Sequence, residues 1–119
     1  MFFNENLPIY IQIMNMVKKR IVIKELKEGE KLPSVRELST ELKVNPNTIQ
    51  RSYQELERED LVFTQRGMGT FVTEDIDVID NLKKTMALGL VDSFIKDMES
   101  LGFSIGEISE IINNRAKEG

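Results

Sequence analysis

Residues Leu42 to Arg51 constrain the fold of this chain more than any other segment. Asn45 is of a type strongly preferred just before a helix, and the backbone of Pro46 is pre-set for the first helical position, so a helix starts here. Its predicted inward face consists of apolar residues at helical spacing, namely Ile49, Tyr53 and Leu56. Its predicted outward face is polar and consists of Asn47, Thr48, Gln50, Arg51 and Gln54. Amides, a hydroxyl and a guanidinium on the first turns of a short helix are suited to contacting base edges and phosphates.

A second short helix precedes this one, and the pair forms a helix-turn-helix pattern. Ser34 and Glu37 have the S-x-x-E spacing of a capping box, which marks a helix start. The turn that follows contains no glycine, so Lys43 or Val44 must accommodate the bend. Arg36 lies at the second position of this earlier helix. It is either a solvated surface arginine or a contact to phosphate or guanine.

Residues 61–73 predict a β-hairpin directly after the helix-turn-helix. β-branched and aromatic residues flank the segment from Arg66 to Gly69, which contains two glycines. A hairpin in this position is the wing of a winged helix. Arg66 at its tip is placed to enter a minor groove or to hold a phosphate, and Gly67 lets the backbone approach closely. The alternative is a plain hairpin whose arginine is solvated.

The segment before these elements predicts a long helix from Pro8 to about Glu25. Pro8 suits a first helical turn, and apolar residues recur at close to the helical repeat after it. The basic cluster at residues 18–20 is interpreted either as a solvated face or as a set of phosphate contacts.

The C-terminal segment predicts two more helices. One amphipathic helix spans Glu74 to about Leu101, Gly102 ends it, and a capping box of Ser104 and Glu107 starts another that runs to about Arg115. Two such helices cannot bury all of their apolar surface against each other, and the length of the stripe favours pairing with a second copy. A symmetric homodimer would contain two copies of the helix that starts at Asn45, here called the recognition helix. It would set them about one DNA turn apart on a palindromic operator. The residues assigned to dimerisation are Ile79, Leu82, Met86, Leu90, Phe94 and Met98.

Composition narrows the class of protein. The chain has 119 residues, 40% of them hydrophobic, which is enough for one core; we predict a DNA-binding domain over residues 1–73 and a helical extension over 74–119. It contains no cysteine and no histidine, which excludes thiol nucleophiles, imidazole bases and zinc fingers. No phosphate-binding loop or nucleophile elbow is present, so we predict no enzyme activity and no cofactor. No apolar run is long enough to span a membrane, and we expect a cytoplasmic location.

Charge is divided unevenly between the two segments. Residues 1–73 hold 11 Lys/Arg and 10 Asp/Glu, whereas residues 74–119 hold 5 and 10, so the net charge of −4 belongs to the tail. A net charge of +1 is weak for a DNA-binding domain, and its cations must therefore share one face. We expect the affinity for DNA to depend on two copies of the chain and to weaken steeply with salt.

The carboxylates of Glu74, Asp75, Asp77 and Asp80 raise the hypothesis of a metal site. Acidic residues in a first helical turn also complement the helix dipole, however, and we predict no metal site.

The stretch from Leu7 to Val72 resembles the winged-helix domain of the GntR family of bacterial transcriptional regulators. The matching positions are Pro8-Ile9-Tyr10, Gln12-Ile13, Gly29, Lys31 to Leu38, Val44 to Ile49, Tyr53, Leu56-Glu57, Gly67 and Gly69 to Val72. The opening Pro-Ile-Tyr and the Asn-Pro-Asn-Thr turn look most like the short YtrA-type subfamily. The resemblance implies that operator DNA is contacted by Arg36, Asn47, Thr48, Gln50, Arg51, Arg66 and Gly67.

Three positions depart from the family pattern. Asp60 stands where the family usually has a glycine after the recognition helix. The C-terminal cap of that helix must therefore accommodate an aspartate, which a left-handed backbone conformation at Asp60 would allow. Met68 occupies a wing position that is often basic. Lys24 and Glu25 lie where a glycine often ends the first helix, and we therefore expect that helix to run on by about a turn.

The sequence predicts a sequence-specific, dimeric repressor. The resemblance implies targets such as transporter operons and the regulator's own promoter. No residue names the operator or the sign of regulation, or says whether a small-molecule effector exists. The alternative hypothesis is a winged-helix module for protein–protein interaction with an acidic docking tail. The polar outward face of the recognition helix argues against that alternative, because interaction surfaces more often carry aromatic or apolar anchors.

Overall fold

A computed structural model describes Phe3 and residues 5–119 of the chain. In this part of the chain it is mainly α-helical with one small hairpin, which confirms the predicted fold class. The elements in order are α1 (Ile9–Val22), α2 (Val35–Leu42), α3 (Pro46–Arg58), β1 (Val62–Gln65), β2 (Gly69–Val72), α4 (Ile76–Ser100) and α5 (Ile105–Glu118). None of the helices among these described residues is long and apolar enough to cross a bilayer.

The chain forms two compact units, residues 1–82 and 83–119. The boundary predicted from composition, after residue 73, therefore lies before the first turns of α4, which belong to the first unit. Ile79 in those turns is only 2% exposed and is part of the first unit's hydrophobic core.

The core of the first unit is built around α3. Helix α3 packs against α1 and α2 and contacts β1, so its apolar face is covered on three sides. The largest fully buried apolar side chains come from the three helices and from β2: Ile13, Ile21, Leu38, Ile49, Leu56 and Val72. Burial of such side chains is worth about 1.5–3 kcal/mol each, and this sets which face of α3 points inward.

Two buried hydrogen bonds fix α3 relative to its neighbours. Ser52 is fully buried, and its hydroxyl oxygen lies 3.0 Å from the carbonyl oxygens of Tyr10 and Thr48, which share its single proton. The Tyr53 hydroxyl donates to the carbonyl oxygen of Pro33 over 2.7 Å. The first contact ties α3 to the start of α1, and the second ties it to the segment that enters α2.

Backbone conformation sets the two ends of α3. At the start, the Asn45 side chain accepts a hydrogen bond from the N–H of Asn47 at 2.8 Å, and Pro46 takes the first helical position, as predicted. The turn from α2 is made by Lys43, which adopts the left-handed conformation with φ 56°. At the far end Asp60 does the same with φ 63°, and the N–H of Leu61 reaches the carbonyl of Leu56 at 3.0 Å. Asp60 therefore serves in the left-handed cap where the family usually has glycine.

Helix α1 is shorter than the sequence predicts. It ends at Val22 rather than at Glu25, because Lys24 adopts a left-handed conformation with φ 68°. The N–H of Leu26 then bonds to the carbonyl of Arg20 at 3.0 Å, and the Leu26 side chain turns into the core, where it is 8% exposed. Burial of Leu26 is the physical reason why the helix stops without a glycine.

The hairpin pairs in register from Val62 opposite Val72 to Gln65 opposite Gly69. Its other edge is also paired, because the segment at residues 29–32 runs beside β2. The N–H of Leu32 donates to Thr70 at 2.8 Å, and the N–H of Val72 donates to Glu30 at 2.9 Å. The wing is thus anchored at its base to the chain that leads into α2.

The second unit consists of most of α4 together with α5. Gly102, with φ 93°, ends α4 as predicted. Ser104 and Glu107 form the predicted capping box, with donor–acceptor distances of 3.2 and 3.0 Å. Ile108 is 3% exposed, but most of the other apolar side chains of this unit are exposed.

We expect replacement of Tyr53 by Phe to lower the free energy of unfolding by about 1 kcal/mol, because the Pro33 carbonyl loses its donor. Urea unfolding measures this loss. The matched control is Tyr10→Phe, since the Tyr10 hydroxyl makes no hydrogen bond among the described residues. A stability of Tyr53→Phe equal to that of the parent would contradict the role assigned to this bond.

The same pair of proteins tests the effect of pH. Burial raises the pKa of Tyr53 above its usual range. A raised folded-state pKa gives stability that is complete below the unfolded pKa of about 10 and is lost as pH rises above it. The stability advantage of the parent over Tyr53→Phe should therefore shrink above pH 10, and an advantage independent of pH would contradict this account.

Candidate nucleic-acid interface

The outward face of α3 is open to solvent along its first two turns. Asn47, Gln50, Arg51 and Gln54 are exposed, while Thr48 is half-buried. Among the described residues, the side chains of Asn47, Gln50 and Gln54 form no hydrogen bond. The inward face is occupied by the core, so these polar side chains keep their donors and acceptors available for a partner.

One flank of α3 faces the start of α1. Asn47, Thr48 and Arg51 lie here with Ile9 and Tyr10 around an open groove of about 390 Å³. The guanidinium carbon of Arg51 lies 3.8 Å from the centre of the Tyr10 ring, which is a cation–π contact.

The other flank of α3 faces the wing. Val35 at the start of α2, Gln50 and Gln54 of α3, and Gly67 of the wing line a second groove of about 280 Å³. This groove brings together the three elements that the sequence assigned to one surface, namely the start of α2, the recognition helix and the hairpin tip.

Glu57 connects α3 to the wing across this groove. Its carboxylate accepts the Thr64 backbone N–H at 3.0 Å and the Thr64 hydroxyl at 3.3 Å. The N–H of a strand that faces away from its partner strand needs an acceptor, and Glu57 supplies it. The carboxylate therefore links β1 of the wing to the recognition helix.

The tip of the wing is solvent-exposed. Arg66 and Gly67 are both exposed, and Gly67 has φ 78°, a conformation that a side chain would strain. Met68, at the wing position that is often basic in the family, is 61% exposed. Below the tip, the ring centres of Phe63 and Phe71 lie 5.6 Å apart and stiffen the two strands.

Ion pairs divide the basic residues of the first unit into two groups. Lys18 is paired with Glu59 at 2.9 Å, Arg20 with Glu25 at 3.9 Å and Arg58 with Glu55 at 2.8 Å. Lys24 is paired with Glu28. Among the residues that the structure describes, the cations without an ion pair include Lys19, Lys31, Arg36, Arg51 and Arg66. Two members of the basic cluster on α1 are thus already neutralised, whereas the three arginines assigned to DNA are not.

Arg36 lies on the first turn of α2 and is exposed. The capping box below it is formed, with Ser34 and Glu37 each donating and accepting at 3.0 Å. The Ser34 N–H lowers the pKa of the Glu37 carboxyl, so Glu37 stays ionised beside Arg36. The arginine therefore projects from a rigid helix end.

The carboxylates at the start of α4 serve the helix. Asp75 accepts a hydrogen bond from the N–H of Asp77 at 3.0 Å, and its own N–H donates to the Thr73 hydroxyl at 3.1 Å. Glu74 instead lies over Gly29. Within the described part of the chain, no three such side chains converge on a position that could hold a metal ion.

The residues assigned to dimerisation fall into two groups. Ile79 is buried in the core of the first unit and Leu82 packs against that core, so these two are engaged within the chain. Leu90 is 74% exposed and Phe94 42% exposed, and Met86 and Met98 are half-buried. An apolar groove of about 480 Å³, lined by Phe94, Met98, Ile111, Ile112, Arg115 and Ala116, lies between α4 and α5 in the second unit.

Sequence reasoning did not assign the roles of two residues that the structure places beside the predicted contacts. Tyr10 and Glu57 were noted only as positions that match the family. The pairing of Tyr10 with Arg51 crosses 41 positions of sequence, and no local spacing signals it. The Glu57 contact depends on the angle of the wing, which turn chemistry alone does not specify.

Comparison with known proteins places this surface in a family. The family model described as "Bacterial regulatory proteins, gntR family" matches residues 9–72. YhcF of Bacillus subtilis, an HTH-type transcriptional regulator, is 44% identical over 98% of this chain and 97% of its own. The HTH-type transcriptional repressor YtrA of the same organism is 40% identical over 79% of this chain and 68% of its own.

Solved structures agree with these matches. A GntR family transcriptional regulator from Listeria monocytogenes superposes with a TM-score of 0.86 at 41% identity and covers 94% of this chain and 98% of its own. The DNA-binding domain of AraR, solved in complex with operator ORR3, superposes with a TM-score of 0.56 at 26% identity and covers 61% and 88%. The chain therefore belongs to the gntR family of bacterial regulatory proteins, in its YtrA-type group, and is a DNA-binding transcriptional regulator rather than an enzyme.

Proposed function

We propose that the protein acts as a dimeric repressor that reads a palindromic operator through two copies of α3. The observation that carries the proposal is the exposed polar face of α3, held between Tyr10 on one flank and the wing on the other. Its amides and its guanidinium match the donor and acceptor pattern of base edges in a major groove. Arg36 and Arg66, both exposed, supply contacts to the phosphates on either side.

Repression is the sign of regulation that the relatives support. YtrA carries the name repressor, and a short chain bound at a promoter needs only to occupy it to block transcription. The regulated unit in this proposal is a small operon, including transporter genes and the regulator's own promoter, as the family resemblance implies.

Dimerisation is supported by the apolar surface of the second unit. Leu88, Leu90, Val91, Phe94, Ile111 and Ile112 are all between 40% and 74% exposed in the single chain. Exposed apolar surface of this kind marks an interaction site. A second copy of the same unit would cover it by two-fold symmetry, with Met86, Leu90, Phe94 and Met98 at the contact.

The outward face of α3 argues against the alternative of a winged-helix module for protein–protein interaction with an acidic docking tail. The exposed side chains of this face are amides and a guanidinium, and the large exposed apolar residues of the chain lie mainly elsewhere.

Selection of bound sequences from a random duplex pool tests the proposed function. We expect an enriched palindrome whose half-sites are about one helical turn apart, because two recognition helices related by a two-fold axis enter the same side of the duplex. Binding should fall steeply as salt rises. Equal weak binding to all duplexes, with no enriched motif, would overturn the proposal.

Dimerisation is tested by Leu90→Glu. Leu90 is 74% exposed in the single chain, so the substitution should leave the helix folded while placing a charge in the interface. We expect the dimer dissociation constant, measured by sedimentation, to rise at least about tenfold. Thr85→Glu adds the same charge at an exposed position outside the stripe and should leave the constant unchanged. Equal effects of the two substitutions would place the interface elsewhere.

The role of Glu57 is tested by hydrogen exchange at the Thr64 amide. Glu57→Ala removes its acceptor, and we expect exchange about five- to tenfold faster, as loss of a bond worth about 1–1.5 kcal/mol implies. The Val72 amide, which donates to Glu30, should keep its rate. Glu55→Ala on the same helix breaks only the pair with Arg58 and serves as the control. Unchanged exchange at Thr64 would show that the wing is held by the hairpin alone.

A further inference from the structure

Arg51 contacts the aromatic ring of Tyr10, whereas the paired cations in the described part of the first unit contact carboxylates. This contact places a guanidinium 3.8 Å from a ring centre, on the outward face of the recognition helix, without using a carboxylate. A guanidinium that lies flat on an aromatic ring keeps its N–H groups, which lie in its own plane, free to donate.

The ring itself is held in place through the backbone. The buried Ser52 hydroxyl donates to the Tyr10 carbonyl at 3.0 Å, one residue along α3 from Arg51. The start of α1 is therefore fixed to the recognition helix at this level, which places the backbone of Tyr10 beside Arg51.

Arg51 shares its flank of α3 with Asn47 and Thr48, four and three positions earlier, and all three line the groove beside Tyr10. A long arginine side chain on a solvated helix ordinarily samples many rotamers, which must be given up on binding. A guanidinium that is already stacked has lost much of that freedom before the duplex arrives.

We propose that Tyr10 is a specificity-determining positioning residue, whose ring holds the Arg51 guanidinium with its N–H edge directed to the base edges of the operator. The inference rests on the proposed function, since it requires that α3 reads DNA. Guanine is the base that this geometry favours, because its O6 and N7 atoms accept two parallel N–H groups. Tyr10 acts through Arg51, so its effect should appear in discrimination between sequences more than in affinity for DNA in general.

The test is a double-mutant cycle on the full chain, using Tyr10→Leu, Arg51→Ala and the double variant. Dissociation constants are measured for the duplex selected by the wild-type protein and for a random duplex of equal length. We expect Arg51→Ala to weaken operator binding about 5- to 150-fold. Tyr10→Leu should weaken operator binding about 2- to 5-fold, the range of an exposed cation–π contact, with little change on random DNA. The double variant should bind no worse than Arg51→Ala alone.

Two control variants separate loss of the Tyr10–Arg51 contact from a general effect on the fold. Tyr10→Phe keeps the ring face and should restore discrimination, whereas Ile23→Ala removes exposed apolar surface just after the other end of α1 and should leave discrimination unchanged. The side-chain Nε–H resonance of Arg51 gives a readout without DNA, because ring-current shifts from Tyr10 should disappear in Tyr10→Leu.

The outcomes distinguish the two levels of the argument. A wild-type protein that enriches no sequence overturns the proposed function and this inference with it. A wild-type protein that enriches an operator, combined with additive effects of Tyr10→Leu and Arg51→Ala, overturns this inference alone. Loss of affinity in Tyr10→Leu that is equal on operator and random DNA also overturns it, since Tyr10 would then act as a general backbone contact.

Discussion

Burial of one face of α3 against α1 is the constraint on which the rest of the first unit depends. Once Ile49, Ser52, Tyr53 and Leu56 are inside, the helical repeat directs Asn47, Gln50, Arg51 and Gln54 outward. The hydrogen bond from the buried Ser52 hydroxyl then fixes the position of α1 along α3. The hydrogen bond from the Tyr53 hydroxyl fixes the segment that leads into α2. The exposed surface is therefore a consequence of the core.

The wing is also held by hydrogen bonds to the rest of the first unit, at both edges of the hairpin. One side of β2 is satisfied by the segment at residues 29–32, and the outward N–H of Thr64 on β1 is satisfied by Glu57. Both edges of the hairpin are thereby bonded within the chain. The tip, with Arg66 and Gly67, is left as the exposed part, and its position relative to α3 is fixed by bonds at some distance from it.

Much of this architecture could be predicted because its signals are local. The helix starts at Ser34, Asn45 and Ser104 follow from side chains that cap their own backbone, and each is present in the structure. The end of α1 could not be predicted in the same way. Lys24 takes a conformation that favours glycine, and the cause is burial of Leu26, a contact that sequence spacing does not reveal.

The functional surface likewise contains parts that local sequence patterns predict and parts that depend on tertiary contacts. Helical periodicity is sufficient to place Asn47, Gln50 and Arg51 outward. The contact of Tyr10 with Arg51 and that of Glu57 with the wing come instead from tertiary packing. Assignment of Ile79 and Leu82 to a stripe for a second copy took no account of the first unit's core, which covers both. Periodicity shows that a side chain will be buried but not by which partner.

The outward amides of α3 have a consequence for the divergence of such regulators. Asn47, Gln50 and Gln54 have no hydrogen-bond partner among the described residues, and the core is complete without them. A gene copy could therefore exchange these side chains one at a time and acquire a new operator while keeping its fold. Separation of the residues that stabilise the scaffold from those that recognise the sequence lets one architecture serve many promoters in a genome.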